Sequence, residues 1–204
     1  MSLLRTFIAV EIPIHIQEII QQETAVLRKE IGSSIVRWIP PQNIHLTLKF
    51  LGDVSAANIG ILTEMLRAEA DSCPPFEIHI SGLGSFPNSK RPRVLFIGIQ
   101  APAELEALQR GIESGAAKLG YESEERGFSP HLTLGRVRQS NLASDQQRIR
   151  KALEGAKIDS LGTARVDSVH LYKSDLKPSG SVYTKLFSAP LQSVIASGAK
   201  QSLV

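Results

Sequence analysis

The tetrapeptide His-Leu-Thr-Leu stands twice in this chain, at residues 45–48 and 131–134. Each copy ends the same arrangement: an apolar run, a proline, an amphipathic stretch, then the tetrapeptide. Pro13 and Pro102 hold the helix-entry place in the two halves. A fixed φ and a missing N–H cost nothing there. Ser55, and Ser144 with Gln147, follow the two copies where a helix N-cap and a capping box are expected. A chain that repeats strand, helix and strand in this way is expected to build two similar lobes. The prediction is an α+β fold of two pseudo-symmetric lobes. Each is an antiparallel sheet with outer helices, and a cleft lies between them.

The periodicity fills in this outline. Strands are predicted at Leu4–Ile12, Ile35–Ile39, Ile44–Leu51, Phe76–Ile80, Arg93–Gln100, His131–Val137, Ala164–Tyr172 and Val182–Phe187. Ile16, Ile19, Ile20, Leu27 and Ile31 recur at helical spacing up to Gly32. The Gly-, Ser- and Pro-rich stretch Gly82–Pro92 reads as a loop between the lobes, and Lys177-Pro178-Ser179-Gly180 as a turn. Residues 1–189 are expected to form one bilobal domain. Residues 190–204 are small and polar and read as a frayed tail.

A length of 204 residues suits one large domain or two small lobes sharing a core. A net charge of +3 argues against a chain-wide polyanion surface but leaves room for local basic patches. Cys73 is the single cysteine, so an intramolecular disulfide and a cysteine-based zinc cluster are excluded. It reads as a free thiol in a reducing compartment. The apolar run Thr6–Val10 is short for a signal peptide and Glu11 closes it. A soluble, cytoplasmic, monomeric protein with no membrane partner is expected.

The repeated tetrapeptide carries the chemistry. Side chains alternate along a strand, so His45 and Thr47 point one way and Leu46 and Leu48 the other. The same holds for His131 and Thr133. If the lobes face each other, two imidazoles and two hydroxyls converge in one cleft. An imidazole titrates near neutrality, so one can act as base while the other acts as acid. Threonine hydroxyls two positions on can donate to non-bridging oxygens. Such a set can open or close a phosphodiester. No close His, Asp or Glu spacing points to a metal site, so neither metal nor cofactor is expected. A binding module that kept the cleft without turnover is the alternative of a different class.

The resemblance to a known family rests on these motifs and their surroundings. Matching stretches are Arg5-Thr6-Phe7-Ile8-Ala9-Val10, Trp38 with His45 through Gly52, Phe86-Pro87 with Arg91 through Leu95, and Phe128 through Arg136. Leu171-Tyr172-Lys173-Ser174 with Tyr183 matches more weakly. Over about residues 4–188 the chain resembles the RNA 2′,3′-cyclic phosphodiesterase family, also called 2′-5′ RNA ligase, of the two-histidine phosphoesterases. The resemblance implies a bilobal fold and an RNA partner. It implies hydrolysis of a terminal 2′,3′-cyclic phosphate to a 2′-phosphate, and the reverse joining of RNA ends. It implies that His45 is the proton donor, that His131 is the proton acceptor, and that Thr47, Thr133 and Arg136 bind substrate. Spacing alone does not distinguish acid from base. Cyclic phosphodiesterases of the same fold acting on ADP-ribose cyclic phosphate or 2′-5′ oligonucleotides are the alternative substrates.

Strict alternation from His131 puts Arg136 on the leucine face, so its role requires a bulge at Gly135 or the strand ending there. Lys90, Arg91 and Arg93, and Arg126, Arg136 and Arg138, are two basic groups that could line the cleft mouth. Phe7, Trp38 and Phe128 suit either base stacking or core packing. His79 and His170 match no motif and read as structural.

Overall fold

The strands are short and apolar on one side, and together they close a single sheet. In the computed structural model, residues 2–139, 142–178 and 180–192 are described. β1 (Leu3–Glu11) leads through Pro13 into α1 (Ile14–Glu23) and α2 (Ala25–Ile31). One helix was expected here, and it breaks at Thr24. The Thr24 hydroxyl donates to the Ile20 carbonyl at 2.6 Å, a back-bond that bends helices. β2 (Val36–Trp38) and a 3-10 turn then lead to β3 (His45–Ser55), α3 (Ile59–Asp71), β4 (Phe76–Phe86) and β5 (Val94–Gln100). The remainder is α4 (Ala103–Lys118), β6 (His131–Val137), α5 (Ala143–Gly155), β7 (Ser160–Val166), β8 (Ser168–Lys177) and β9 (Gly180–Pro190).

The strand order is β7-β4-β5-β6-β3-β1-β8-β9, with β2 beside β6. A pseudo-twofold therefore runs between β6 and β3. It relates β5 to β1, β4 to β8 and β7 to β9. The two halves do not stand apart as separate sheets. Leu46 pairs with Leu132 and joins them into one hydrogen-bonded sheet. Each half also draws on both parts of the chain, since β8 and β9 return to β1.

Three departures from the sequence reading stand out. Gly82–Phe86 is not a link between lobes but the second part of β4, paired with β5 in the same half. Gly82, at φ +78°, carries the strand through a bulge instead of ending it. The stretch expected as one strand over Ala164–Tyr172 is two, divided at Asp167. The chain there leaves β4 in one half and joins β1 in the other. Helix α5 begins before Ser144, and the Asp145 carboxylate accepts the Leu142 N–H at 3.0 Å in place of the expected Ser144 cap. Ser55 caps the 3-10 turn Ala56–Asn58 that leads into α3, accepting from the Ala57 N–H at 3.4 Å, while Asn58, at the N-cap place of α3 itself, makes no side-chain cap bond.

The helices gather on the leucine face. α3 lies against α4, β8 and β9; α4 reaches β3; α1 lies on β7 and α2 on α5. Leu46, Leu48, Leu132 and Leu134 are buried beneath them, each contributing roughly 1.5–3 kcal/mol of burial. The opposite face carries a small second cluster of Phe7, Ala9, Tyr172 and Tyr183. After β9, Leu191 is buried and the Gln192 N–H donates to the Ala70 and Cys73 carbonyls. The rest of the expected tail, 193–204, and Ser179 of the expected turn lie outside the described residues. Among the described residues, no helix is long and apolar enough to cross a membrane.

Candidate active site

The Leu46–Leu132 pair sets the geometry of the polar face. On an antiparallel ladder this register puts His45 across from Thr133 and Thr47 across from His131. The two histidines then occupy one diagonal and the two threonines the other. Diagonal places on a ladder are about 7–8 Å apart, room for one phosphate between two rings. All four side chains are half-buried. The structure thus brings the four predicted motif residues together.

Both imidazoles are held in the same way. His45 Nδ1 lies 2.8 Å from the Asn43 carbonyl and His131 Nδ1 lies 2.7 Å from the Ser129 carbonyl. A carbonyl only accepts, so Nδ1 carries the proton and donates. Each Nε2 is left for chemistry. Asn43 is held in turn, its side-chain amide donating to the Ser181 carbonyl of β9 at 2.9 Å.

Aromatic walls surround each ring. Phe7 lies 4.8 Å from His45, with Tyr172 stacked behind it at 5.3 Å, and Tyr183 meets His45 edge-on at 5.2 Å. Phe86 and Phe96 flank His131 at 4.9 and 5.3 Å. Phe96 can lie there because Gly84 is its strand partner, and a Cβ at Gly84 would collide with the ring. Burial against these walls lowers the pKa of His45 and of His131 below the ordinary imidazole value. The carbonyl bonds oppose this, His131 lowers His45 further, and the Arg136 guanidinium lowers His131 further.

Arg136 reaches the site through a bulge. Phe96 pairs with Thr133 and Leu95 with Gly135, so β6 carries one extra residue at Leu134. Leu134 and Gly135 are both buried, and Arg136 returns, exposed, to the face of His131 and Thr133. Strict alternation fails here by one residue, across Leu134 and Gly135. β3 does the same. Ala9 pairs with Thr47 and Ile8 with Lys49, leaving Leu48 extra. Phe50 then returns to the histidine face, 62% exposed. Strict alternation from His45 puts Phe50 on the leucine face, so the motif alone does not mark it; two buried residues in succession mark the bulge only once the partner strand is known.

The same bulge turns Lys49 inward. Its ammonium lies 2.5 Å from Glu113 of α4 and donates to the Glu122 carbonyl at 2.5 Å. The same Glu113 oxygen accepts the Glu124 N–H at 2.9 Å. This buried pair ties β3 to the loop that leads to Ser129 and His131.

The remaining candidates divide. Phe7 is buried as the wall of His45. Trp38 lies under the Arg28 guanidinium and Phe128 packs on the main core. Lys90 and Arg91 are exposed in the β4–β5 loop, their N–H groups held by the Asn88 side chain. Arg126 pairs with Glu124 and Arg138 donates to the Ser33 carbonyl. His79 faces Ser160 at 3.3 Å. His170 is buried between Ser168 and Ser188, with Glu11 at 3.5 Å. Among the described residues, no three His, Cys, Asp or Glu side chains converge as metal ligands.

A two-lobed α+β sheet with paired histidines on its open face defines a two-histidine phosphoesterase. Residues 13–178 match the 2′-5′ RNA ligase superfamily, and the chain belongs to that family. It is 31% identical over 182 residues to the RNA 2′,3′-cyclic phosphodiesterase of Methanothermobacter thermautotrophicus, covering 89% of this chain and 96% of that one. It is 32% identical over 183 residues to the RNA 2′,3′-cyclic phosphodiesterase of Archaeoglobus fulgidus, covering 90% and 98%. The fold is similar to that of E. coli LigT complexed with 3′-AMP, with a TM-score of 0.74, 28% identity, and coverage of 94% and 100%.

Proposed function

We propose that this protein hydrolyses RNA 2′,3′-cyclic phosphate ends to 2′-phosphates, with His45 as acid and His131 as base. The observation that carries the reading is the matched pair of Nδ1-anchored imidazoles on one face. His131 Nε2 takes a proton from water, whose oxygen bonds to phosphorus. The bond from phosphorus to the 3′ oxygen breaks, and His45 Nε2 gives that oxygen its proton. The Arg136 guanidinium supports the base role of His131, because a neighbouring cation favours the neutral imidazole. Thr47 and Thr133 donate to the non-bridging oxygens, with Arg136 as a charged donor beside them. Phe50 offers a base an exposed ring to stack on. With the 5′-hydroxyl of a second RNA in place of water, the same groups open the cyclic phosphate: the 5′ oxygen bonds to phosphorus, the bond to the 3′ oxygen breaks, and a 2′-5′ linkage is left.

Both halves of the site come from one chain, which supports a monomeric enzyme whose single folded unit runs past the expected end at 189 to the buried Leu191 and the bonded Gln192. A buried free thiol at Cys73 fits a reducing cytoplasm. The chemistry assigned to the two imidazoles requires no metal. The test is turnover of a short RNA ending in a 2′,3′-cyclic phosphate, with excess EDTA and with the product isomer identified. Formation of the 2′-phosphate is expected. A 3′-phosphate product would mean that the bond to the 2′ oxygen breaks and would overturn the proposed cleavage, and no turnover by folded protein would overturn the substrate. Turnover of ADP-ribose cyclic phosphate in preference to the RNA would do the same.

A further inference from the structure

Arg37 stands directly across from Arg136 where β2 joins β6. Val94 of β5 is the other partner of Arg136. The histidine face at this end of the sheet is thus a row: Val94, Arg136, Arg37. The burial pattern agrees, since Val36 is buried while Arg37 is exposed. Like charges directly opposite on a ladder destabilise it. Among the described residues, no carboxylate lies within ion-pair distance of either arginine. Arg126 pairs with Glu124, Arg138 donates to the Ser33 carbonyl, and Arg28 donates to Thr24 and lies over the Trp38 ring. Arg37 and Arg136 are thus cross-strand neighbours on this face, both exposed, and among the described residues neither has a carboxylate partner.

Such a pair is favourable when an anion lies between or along it. Arg136 neighbours His131 and Thr133 and belongs with the reacting phosphate. Arg37 is one strand further out, about 4.8 Å along the sheet. We propose that Arg37 is a second-phosphate residue, taking the phosphate on the 5′ side of the terminal nucleotide while the cyclic phosphate sits at the histidines. The inference rests on the proposed function and sharpens it. The site then selects oligonucleotide ends, or 5′-phosphorylated nucleotides, over a nucleoside that carries only the cyclic phosphate. Lys90 and Arg91, in the loop that leads into Val94, are also exposed.

The experiment compares kcat/KM on a nucleoside 2′,3′-cyclic phosphate with kcat/KM on the same nucleotide bearing a 5′-phosphate and on a dinucleotide ending in the cyclic phosphate. The wild-type protein is expected to favour the two-phosphate substrates by about tenfold or more. Arg37→Gln should remove most of that ratio, and Arg37→Lys should keep part of it, because the charge remains and the planar fork does not. Equal losses on all three substrates would overturn the inference, as would an unchanged ratio. Absence of turnover on every substrate by the wild-type protein would instead count against the proposed function. Binding of a short RNA with a 2′-phosphate end, with and without its 5′-phosphate, then decides the role of Arg37. The slope of log Kd against log salt should be smaller by about 0.7 in Arg37→Gln for the 5′-phosphorylated RNA only. A slope that does not change would overturn the inference.

Discussion

Phe50 on β3 and Arg136 on β6 occupy equivalent places across the pseudo-twofold. Each is the first residue that a bulge returns to the histidine face, and each is exposed there. The repeat is therefore symmetric in its histidines and threonines and asymmetric one step beyond them. One half offers a ring, the other a charge. In the proposed mechanism that asymmetry gives the acid–base pair a direction.

The two residues should fail differently. Arg136→Gln removes a charged donor from the phosphate, and such bonds are worth about 1.5–3 kcal/mol. Its kcat/KM should fall roughly 10–100-fold, mostly through kcat. Phe50→Ala should raise KM for RNA several-fold with a smaller change in kcat, because stacking is made before and during reaction alike. Steady-state kinetics on one cyclic-phosphate RNA separates the two; a kcat defect in Phe50→Ala as deep as that of Arg136→Gln would remove the distinction.

The pH dependence follows from the walls around the rings. Both imidazoles sit below their ordinary value of about 6.5 through burial. The base must be neutral and the acid protonated, so the bell in kcat/KM should be centred on the acid side of 6.5. Bound phosphate adds negative charge and favours both protonated forms, so the kcat profile should lie at higher pH than that of kcat/KM. The same shifts affect stability. Each ring binds its proton less well folded than unfolded, so stability falls as pH drops through about 6.5. Urea unfolding at pH 7.5 and 5.5 should show a smaller loss in His45→Asn than in the wild type. An equal loss would mean that His45 does not titrate as its burial requires.

Lys49 and Glu113 make a buried tether rather than a surface pair, with side chains 3% and 20% exposed. Lys49→Met should destabilise by about 3 kcal/mol or more, because Glu113 is left charged and unanswered. Adding Glu113→Leu should restore much of that stability. It should not restore kcat, because the bonds to Glu122 and Glu124 that steady the approach to Ser129 stay lost. Recovery of stability and kcat together would show that the tether matters only for folding.

Much of this was legible in the residues. The His-Leu-Thr-Leu repeats predicted the strands, the face of each side chain and the convergence, because alternation is a local property. Pro13 and Gly32 marked their helix ends for the same reason. What escaped depends on partners distant in sequence. Gly82–Gly84 reads as a loop, yet it runs as a strand because β5 pairs with it and the Phe96 ring needs Gly84. The strand break at Asp167 reflects a change of partner, not a local signal. Phe7, Trp38 and Phe128 suit stacking by sequence as well as Phe50 does, yet Phe50 is the one left exposed on the histidine face. Composition cannot distinguish a buried wall from an exposed platform without the register of β3.

The central claim is that two histidines from opposite halves act on one phosphate in one step. Single-turnover rates on a cyclic-phosphate RNA, for His45→Ala, His131→Ala and the double variant, test it most directly. Each single variant should lose about 10² or more. The double variant should be scarcely slower than the worse single, because partners in one step do not lose independently. Losses that multiply in the double variant, or a single variant that keeps near wild-type rate, would contradict the account.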